Sequence, residues 1–357
     1  MAYGGKSPRG GRLAMNIGIV GLPKSGKTTL MKLLTQTRGD APLKGAVQSV
    51  GVMEVPDGRL DWLSRLFKPE RTIYARTEVQ DVQPHKGQDL LNAVRSLDAL
   101  IVVIAAFVAD NPASVLTIVD DLETEFFLAD LAWVEGRLDR IGSHKAKPLS
   151  QAEVRFLEKC RTVLDGNVPL RKIDFEPQEE GFLANYAFFT MKPMIMAVNV
   201  SESSLSTGDY PGRATLQEKA REMDYPVVVF CGEVEPEIAA LPEADRLSFL
   251  KEYGLAETGV ARIAKAAYRC LGLISFFTLG RDEVRAWTIA KGLPAKEAAG
   301  KIHTDMEKGF IRAEVASYDD LRENGSMKAC KEKGLLRLEG KDYVVKDGDI
   351  LDIRFNV

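Results

Sequence analysis

The stretch Gly21-Leu22-Pro23-Lys24-Ser25-Gly26-Lys27-Thr28 carries the strongest signal in this chain. It matches G-x-x-x-x-G-K-[ST], in which the glycines let successive backbone N–H groups point at phosphate oxygens. Residues 16–20, Asn-Ile-Gly-Ile-Val, predict a short buried strand, whereas residues 28–34 have the spacing of a helix. A loop between a strand and a helix places an anion at the positive end of the helix dipole. Because every fixed position is present in this context, we interpret the stretch as a phosphate-binding loop rather than a glycine-rich turn with a coincidental lysine.

Each polar residue of the loop has an expected role. Lys27 is expected to reach the β- and γ-phosphates and to act in catalysis, and the Thr28 hydroxyl to ligate Mg²⁺. Asp81, which ends a predicted strand over residues 77–81, is the natural second magnesium ligand, directly or through water. Alternatively, Asp81 only caps the helix that follows. The residues expected to contact the nucleotide here are Gly21, Leu22, Pro23, Lys24, Ser25, Gly26, Lys27, Thr28 and Thr29.

Length and composition describe the class of protein. A chain of 357 residues predicts two or three domains, and 45% apolar with 28% charged residues is typical of a globular protein. No apolar run approaches the roughly 20 residues that span a bilayer, so no membrane association is expected. Four scattered cysteines without a C-x-x-C pair fit reduced thiols in a cytoplasm. The net charge of −3 gives no general attraction to nucleic acid and no indication of DNA sequence recognition.

The order of apolar segments predicts an α/β domain. Strands are expected at residues 16–20, 50–55, 77–81, 100–106, 194–199 and 227–231, with helices at residues 57–67 and 258–271. Residues 100–106 are apolar throughout, which is typical of a central strand buried on both faces. Strands separated by helices imply right-handed βαβ units and a mostly parallel sheet.

Two further modules and a tail complete the predicted organisation. Residues 1–14 are glycine-rich and basic and predict a disordered tail. The nucleotide-binding domain is expected over residues 15–110 and 182–272, interrupted at 111–181 by a helical insertion with helices at 112–141 and 149–164. We interpret this insertion as an antiparallel, coiled-coil-like hairpin, the alternative being ordinary helices packed on the sheet. Residues 273–357 alternate short strands with glycine turns around one helix at 295–301 and predict a small α+β domain.

Several motifs resemble those of the YchF-type Obg-like ATPases. They are Ile302-His303-Thr304-Asp305-Met306-Glu307-Lys308-Gly309-Phe310-Ile311-Arg312-Ala313-Glu314-Val315, Glu339-Gly340-Lys341-Asp342-Tyr343-Val344-Val345-Lys346-Asp347-Gly348-Asp349, Lys68-Pro69-Glu70-Arg71-Thr72, Leu128-Ala129-Asp130-Leu131 and Glu235-Pro236-Glu237-Ile238-Ala239. The resemblance extends from about Met15 to Val357. It implies a GTPase-like P-loop domain with a mostly parallel sheet, a helical insertion, a C-terminal TGS module with a ubiquitin-like β-grasp fold, and cytoplasmic association with ribosomes.

The segment Asn199-Val200-Ser201-Glu202 replaces the N-K-x-D sequence with which GTPases usually bind guanine. It resembles the N-x-x-E form that the family associates with ATP. Adenine presents an acceptor at N1 and lacks the N2 amine, so a carboxylate clamp gains little from it. We expect Asn199 and backbone groups near Val200 to bind adenine, with Glu202 nearby and Cys231, Gly232 and Glu233 forming the late loop against the base. Alternatively, Glu202 is solvated and base selectivity is weak.

The residues expected to support hydrolysis depart from the family pattern. Where the family carries D-x-x-G, this chain has Asp81-Val82-Gln83-Pro84, and proline has no N–H to donate to a γ-phosphate. Gly45 stands where the family has a magnesium-binding threonine. Gln83, by orienting a water, and His85, as a base or phosphate contact, are the candidate catalytic replacements, although both could simply be solvated.

The sequence therefore predicts a purine-nucleotide-binding protein that uses ATP, or GTP, with Mg²⁺. ATP is expected to be preferred over GTP and hydrolysed slowly to ADP and phosphate, with the nucleotide state tuning association with the ribosome or ribosomal RNA. The alternative is a non-hydrolysing nucleotide-binding adaptor or a GTP-binding scaffold. Residues 273–357 hold 15 basic and 15 acidic residues, so composition alone indicates only an interaction domain. A monomer is favoured.

Overall fold

The computed structural model describes residues 15–35, 50–108, 112–142 and 150–356. The predicted tail and Gly45 lie outside these ranges. The strands are β1 Asn16–Gly21, β2 Val50–Val55, β3 Arg71–Ile73, β4 Ala75–Asp81, β5 Ala99–Ala105, β6 Met194–Asn199, β7 Val227–Phe230, β8 Leu273–Leu279, β9 Glu283–Ala290, β10 Phe310–Ser317, β11 Arg337–Glu339 and β12 Asp349–Phe355. The α-helices are α1 Lys27–Thr35, α2 Gly58–Phe67, α3 Gly87–Val94, α4 Thr117–Gly142, α5 Gln151–Asp165, α6 Pro177–Asn185, α7 Glu202–Thr207, α8 Arg213–Met223, α9 Val234–Ala240, α10 Glu243–Glu252, α11 Gly259–Cys270, α12 Ala295–Ile302, α13 Thr304–Lys308, α14 Tyr318–Asn324 and α15 Met327–Glu332.

The chain divides into two compact units. Among the described residues, the larger unit comprises those within Pro8–Gly51 and Glu78–Ala267, and the smaller comprises Val52–Thr77 and Tyr268 to residue 356. The helical segment from α4 to α6 belongs to the larger unit, and the segment that carries α2 and β3 belongs to the smaller one. The finer boundaries at residues 110, 181 and 272 stay predictions.

The first sheet has the strand order β2-β4-β1-β5-β6-β7. Strand β1 pairs in parallel with β4 and β5, and β5–β6 and β6–β7 are also parallel, which confirms the predicted α/β domain with a mostly parallel sheet. The first six residues of β5 are buried, as its apolar sequence predicted. Because these strands run in one direction, their carboxyl ends meet at one edge of the sheet. That edge presents Gly21, Asp81 and Asn199, the last residues of β1, β4 and β6.

Helix α4 serves two hydrophobic cores. Ile118 and Leu122 in its first half belong to the core cluster of the parallel sheet. Val134, in the second half of α4, packs with Phe156 and Leu157 of α5 in a separate hydrophobic cluster. Aromatic residues that follow α6 belong to the same cluster. The insertion therefore combines the two predicted alternatives. The first half of α4 packs on the sheet, and its second half packs against α5. The helix predicted from residue 112 begins only at Thr117, because residues 112–115 form a 3₁₀ turn.

Asp130 of α4 connects this helix to the chain that leads into β6. Its two carboxylate oxygens accept hydrogen bonds from the backbone N–H groups of Phe189 (2.9 Å) and Thr190 (2.8 Å) and from the Thr190 hydroxyl (2.7 Å). The side chain is buried, and burial raises the pKa of its carboxyl to about 6 despite these bonds. Asp130 therefore stabilises the 3₁₀ turn Phe189–Met191 from the side of the helix.

The smaller unit contains a second sheet with the order β11-β10-β12-β8-β9-β3. The antiparallel pairs β8–β9 and β10–β12 flank a parallel contact between β12 and β8. Helix α12 packs on this sheet through Ala295, Ala298 and Ala299, which are fully buried and let the backbone approach closely. These features agree with the predicted β-grasp domain. The sequence reading missed β3, which pairs with β9, because three residues are too short to show a period.

The lengths of the described helices and the contact made by His303 are two further features of the structure. No helix in the described ranges is long and apolar enough to cross a membrane. His303 precedes α13, and its Nδ1 accepts the backbone N–H of Asp305 over 3.2 Å, so this histidine caps the short helix.

Candidate nucleotide site

The loop between β1 and α1 has the shape that a phosphate-binding loop requires. Gly26 has φ +101°, and a Cβ there would lie 2.4 Å from Nδ2 of Asn199. A Cβ on Gly21 would lie 2.7 Å from the carbonyl oxygen of Val103 in β5. Both glycines are therefore required by close contacts with neighbouring strands. The loop closes through a hydrogen bond from the Ser25 N–H to the Leu22 carbonyl (3.2 Å).

Lys24 is a loop residue that adopts a positive φ although it is not a glycine. This exposed residue has φ +63°, a left-handed conformation that is unfavourable for a residue with a Cβ. Strained backbone of this kind persists where the surrounding structure determines it. Ser25 beside it is buried, and its hydroxyl oxygen lacks a hydrogen-bond partner within the described part of the chain.

Lys27 begins α1 and turns back over the loop. Its ammonium donates hydrogen bonds to the carbonyl oxygens of Gly21 (2.7 Å) and Leu22 (3.1 Å), which use two of its three donors. Burial lowers the pKa of Lys27, and the nearby negative charge of Asp81 opposes that shift. The structure thus places a cation inside the loop, with an acidic partner on the neighbouring strand.

Asp81 lies opposite Ile19 of β1 in the strand register and is buried. Its Oδ2 accepts a hydrogen bond from the side-chain amide of Gln83 (2.7 Å), whereas its buried Oδ1 has no hydrogen-bond partner in the described ranges. Burial raises the pKa of Asp81, and Lys27 and Gln83 pull it back down. A buried carboxylate oxygen without a protein partner fits a metal ion or a metal-bound water.

The donors available for a metal suit magnesium. No group of three or more His, Cys, Asp or Glu residues within the described ranges could hold a metal by itself. Mg²⁺ usually takes one or two protein oxygens together with waters and substrate phosphates. Asp81 and the exposed hydroxyl-bearing residue Thr28 offer such oxygens.

Asn199, at the end of β6, connects two loops. Its Nδ2 donates to the carbonyl oxygen of Ser25 (3.0 Å), and its Oδ1 accepts the backbone N–H of Gly232 (2.9 Å). The side chain is buried, and both ends of its amide are engaged by backbone. The structure therefore gives Asn199 a part in shaping the phosphate loop, which the sequence reading did not include. Direct contact with adenine by Asn199 stays a prediction.

The loops expected beside the base follow β6 and β7. The N–H of Val200 bonds the carbonyl of Phe230 (2.9 Å), which aligns the two loops. Cys231 is fully buried, and burial raises the pKa of its thiol, so it is a packing residue. Glu233 occupies the cap position of α9. Glu202 is the first residue of α7 and accepts a hydrogen bond from the Tyr253 hydroxyl, a residue that the sequence reading overlooked.

The two candidate replacements for the altered hydrolytic residues differ in their surroundings. Gln83 is exposed, but its amide nitrogen is bonded to Asp81. His85 is half-buried in the segment between β4 and α3, four positions after Asp81. Gly87, the first residue of α3, donates its N–H to Glu125 of α4 (3.0 Å), which attaches the beginning of α3 to the next helix. No observation assigns a catalytic role to Gln83 or His85.

Glu235 illustrates how one of the quoted motifs contributes to the fold. It is buried on α9, and its carboxylate accepts the backbone N–H of Gly259 over 2.6 Å at the start of α11. Burial raises the pKa of Glu235, and its bonds to the backbone of Gly259 and Val260 oppose that shift. This motif residue caps a helix and contributes no group to the loop around Lys27.

A parallel sheet whose first strand enters a glycine-bounded loop, with a buried lysine and an aspartate on the adjacent strand, defines a P-loop nucleotide-binding protein. The family model YchF-GTPase_C, described as "Protein of unknown function (DUF933)", matches residues 273–356. The chain is 38% identical to "Ribosome-binding ATPase YchF" of Bacillus subtilis, over 97% of this chain and 100% of that protein.

Two further comparisons agree with this result. "Obg-like ATPase 1" of Caenorhabditis elegans is 34% identical, over 97% of this chain and 94% of that protein. The structure of the Schizosaccharomyces pombe YchF GTPase superposes with a TM-score of 0.85 at 26% identity, covering 98% of this chain and 100% of the other. The chain belongs to the YchF family.

Proposed function

We propose that this protein binds ATP with Mg²⁺, prefers ATP over GTP, and hydrolyses ATP slowly to ADP and phosphate. In this proposal, the bound nucleotide controls association with the ribosome in the cytoplasm. The observation that carries it is the position of Lys27, bonded inside the phosphate loop and close enough to the buried carboxylate of Asp81 for the two charges to interact.

The roles of the loop residues follow from their geometry. Lys27 is a buried cation whose remaining hydrogen-bonding capacity can serve a phosphate oxygen. Asp81 and Thr28 would hold Mg²⁺, which when bound neutralises charge on the phosphates. Backbone N–H groups from Lys24 to Thr28 would complete the contacts to the phosphates at the beginning of α1.

Slow hydrolysis is expected from the segment after Asp81. Pro84 has no N–H for the γ-phosphate, and Gln83 uses its amide nitrogen to bond Asp81. An amide bonded in this way is not directed at an attacking water. Binding of the phosphates therefore rests on the loop around Lys27, whereas positioning of the water lacks an evident residue in the described segment.

Single-turnover hydrolysis tests the catalytic part of this proposal. The wild-type protein should bind ATP in calorimetry with Mg²⁺ and hydrolyse it more slowly than about 1 s⁻¹ without a partner. Lys27→Ala should abolish binding, whereas Lys32→Ala, an exposed lysine on the same helix, should leave it unchanged. Faster turnover would contradict slow hydrolysis, and absence of any heat with ATP or GTP would overturn the proposal.

A second candidate is a nucleotide-binding adaptor that does not hydrolyse its ligand. The bond between Gln83 and Asp81 and the proline at position 84 favour it. The two functions differ in whether the γ-phosphate of the bound nucleotide changes association with the ribosome. Co-sedimentation with ribosomes in ATP and in ADP separates them, because the proposed ATPase requires the two nucleotides to give different bound fractions. Equal fractions together with no phosphate release would favour the adaptor.

A further inference from the structure

The hydroxyl of Tyr253 donates a hydrogen bond to Oε1 of Glu202 over 2.6 Å, although the two residues are 51 positions apart. Glu202 lies three positions after Asn199, which joins the phosphate loop to the loop after β7. The contact therefore lies on the side of the site where we expect the base.

The backbone around Tyr253 is held in place by the end of α10. Gly254, with φ +65°, donates its N–H to the carbonyl of Lys251 (3.0 Å), and the N–H of Leu255 bonds the carbonyl of Leu250 (2.8 Å). This pair of bonds is the Schellman arrangement that ends a helix with a left-handed glycine. Leu255 packs against the core of the parallel sheet, which completes the motif.

The ring of Tyr253 is also supported. It lies against Phe249 with 5.2 Å between ring centroids, and Phe249 packs on the same core. Both residues are on or beside α10, so the phenol projects from a rigid element and not from a free loop. The hydroxyl thus approaches Glu202 from a defined direction.

The chemistry of the pair keeps the tyrosine as the donor. The hydrogen bond to Glu202 raises the pKa of Tyr253 to about 12, so the phenol stays protonated near neutral pH. The carboxylate of Glu202 is the acceptor of this hydrogen bond. Because one of its oxygens is held by the hydroxyl, the carboxylate has a restricted orientation.

We propose that Tyr253 is a positioning residue for base selection, acting through its hydrogen bond to Glu202. This inference rests on the proposed function. A carboxylate binds guanine by turning both oxygens toward the N1–H and the N2 amine. Tyr253 holds one oxygen and opposes that rotation. It also keeps the carboxylate from facing the N1 acceptor of adenine, where two acceptors would repel each other.

Calorimetric affinities for Mg-ATP and Mg-GTP provide the test. In Tyr253→Phe the ring remains and only the donor is lost. GTP affinity should rise, ATP affinity should fall, and the ratio of ATP to GTP affinity should decrease at least about fivefold. In a Glu202→Gln background, the same tyrosine substitution should change this ratio less than about twofold, because the partner charge is gone.

Tyr343→Phe is a matched control. It removes another tyrosine–carboxylate hydrogen bond, that to Asp349 (2.8 Å), in the smaller unit of the chain. The affinity ratio of this variant should equal that of the wild type. A loss of stability alone would affect both nucleotides equally and would not change the ratio.

The outcomes distinguish this inference from the function on which it rests. If wild type prefers ATP and Tyr253→Phe keeps the same ratio, the inference is wrong and the proposed function stands. If wild type binds both nucleotides equally and the substitution changes nothing, the base preference and the inference both fail. If neither nucleotide binds, the proposed function is overturned, and the role of Tyr253 is overturned with it.

Discussion

The side-chain amide of Asn199 donates a hydrogen bond to the carbonyl oxygen of Ser25 over 3.0 Å, across 174 positions of the chain. The same side chain accepts the N–H of Gly232. The shape of the phosphate loop therefore depends on a residue of β6, in addition to the sequence of the loop itself.

Replacing Asn199 should weaken nucleotide binding. Asn199→Ala leaves the Ser25 carbonyl and the Gly232 N–H without their partner, and each unpaired buried group costs about 1–3 kcal/mol. We expect ATP affinity to fall at least about tenfold by calorimetry and the free energy of unfolding to decrease in urea. Asn92→Ala, at an exposed position on α3, is the control and should change neither quantity. Unchanged affinity in Asn199→Ala would show that the loop keeps its shape without this bond.

A methyl group at Gly26 should disrupt the loop. A Cβ would lie 2.4 Å from Asn199 Nδ2, and φ +101° is strained for alanine. Gly26→Ala should therefore lose ATP binding. Its counterpart Gly136→Ala, inside α4 with no atom near the added methyl, should instead stabilise the protein by about 0.5–1 kcal/mol in urea. Full ATP affinity in Gly26→Ala would contradict the tight packing described here.

The stability of the protein should depend on the titration of Asp130. Burial raises its pKa to about 6, above the value of about 4 in an unfolded chain. A raised carboxyl pKa means that the folded state binds the proton more tightly. The stability from protonated Asp130 is therefore fully present below about pH 4 and is lost as the pH rises through about 6.

The amide of Asp130→Asn does not titrate, so comparison with this variant isolates the effect of the carboxyl group. Between pH 4 and pH 7, the free energy of unfolding of wild type should decrease by about 2 kcal/mol relative to the variant. Urea unfolding at several pH values measures this difference. A constant difference across this range would show that the three hydrogen bonds from Phe189 and Thr190 already compensate the burial of the charge.

Arg59 should stabilise the association of α2 with the last strands of the smaller unit. Its guanidinium bonds both Asp57 (2.8 Å) and Asp347 (2.9 Å) and lies over the ring of Phe277. Arg59→Met should lower the stability of this unit by about 1–2 kcal/mol and accelerate amide exchange in β3 and β9. Arg65→Met, an exposed position on the same helix, is the control. Identical exchange in the two variants would contradict this role.

The local parts of the site were predictable because their chemistry is contiguous in sequence. The strand, the loop from Gly21 to Thr28 and the helix follow one another, and their periods and glycines can be recognised without tertiary information. Asp81 was predictable because it ends a strand, and parallel strands bring such ends to one edge. The β-grasp domain was recognised from motifs such as those around His303 and Asp349.

Other features depend on contacts between residues far apart in sequence. Glu202 and Tyr253 meet only because α7 and α10 pack around the same core, and no local pattern marks the tyrosine. Asp130 lies in a motif that resembles the family, yet no local pattern shows that its carboxylate bonds a turn 59 positions away. The strand β3 is too short for its period to be visible.

The sequence by itself determined the phosphate loop, the order of the main strands along the chain and the membership of the family. These properties depend on residues that are close in sequence and on their spacing. Only the tertiary structure decided that Asn199 braces the loop, that Gln83 bonds Asp81, and that Tyr253 holds Glu202. The physical reason is that a hydrogen bond depends on the distance and direction between two groups. For residues such as Asn199 and Ser25, the packed sheet supplies that distance and direction.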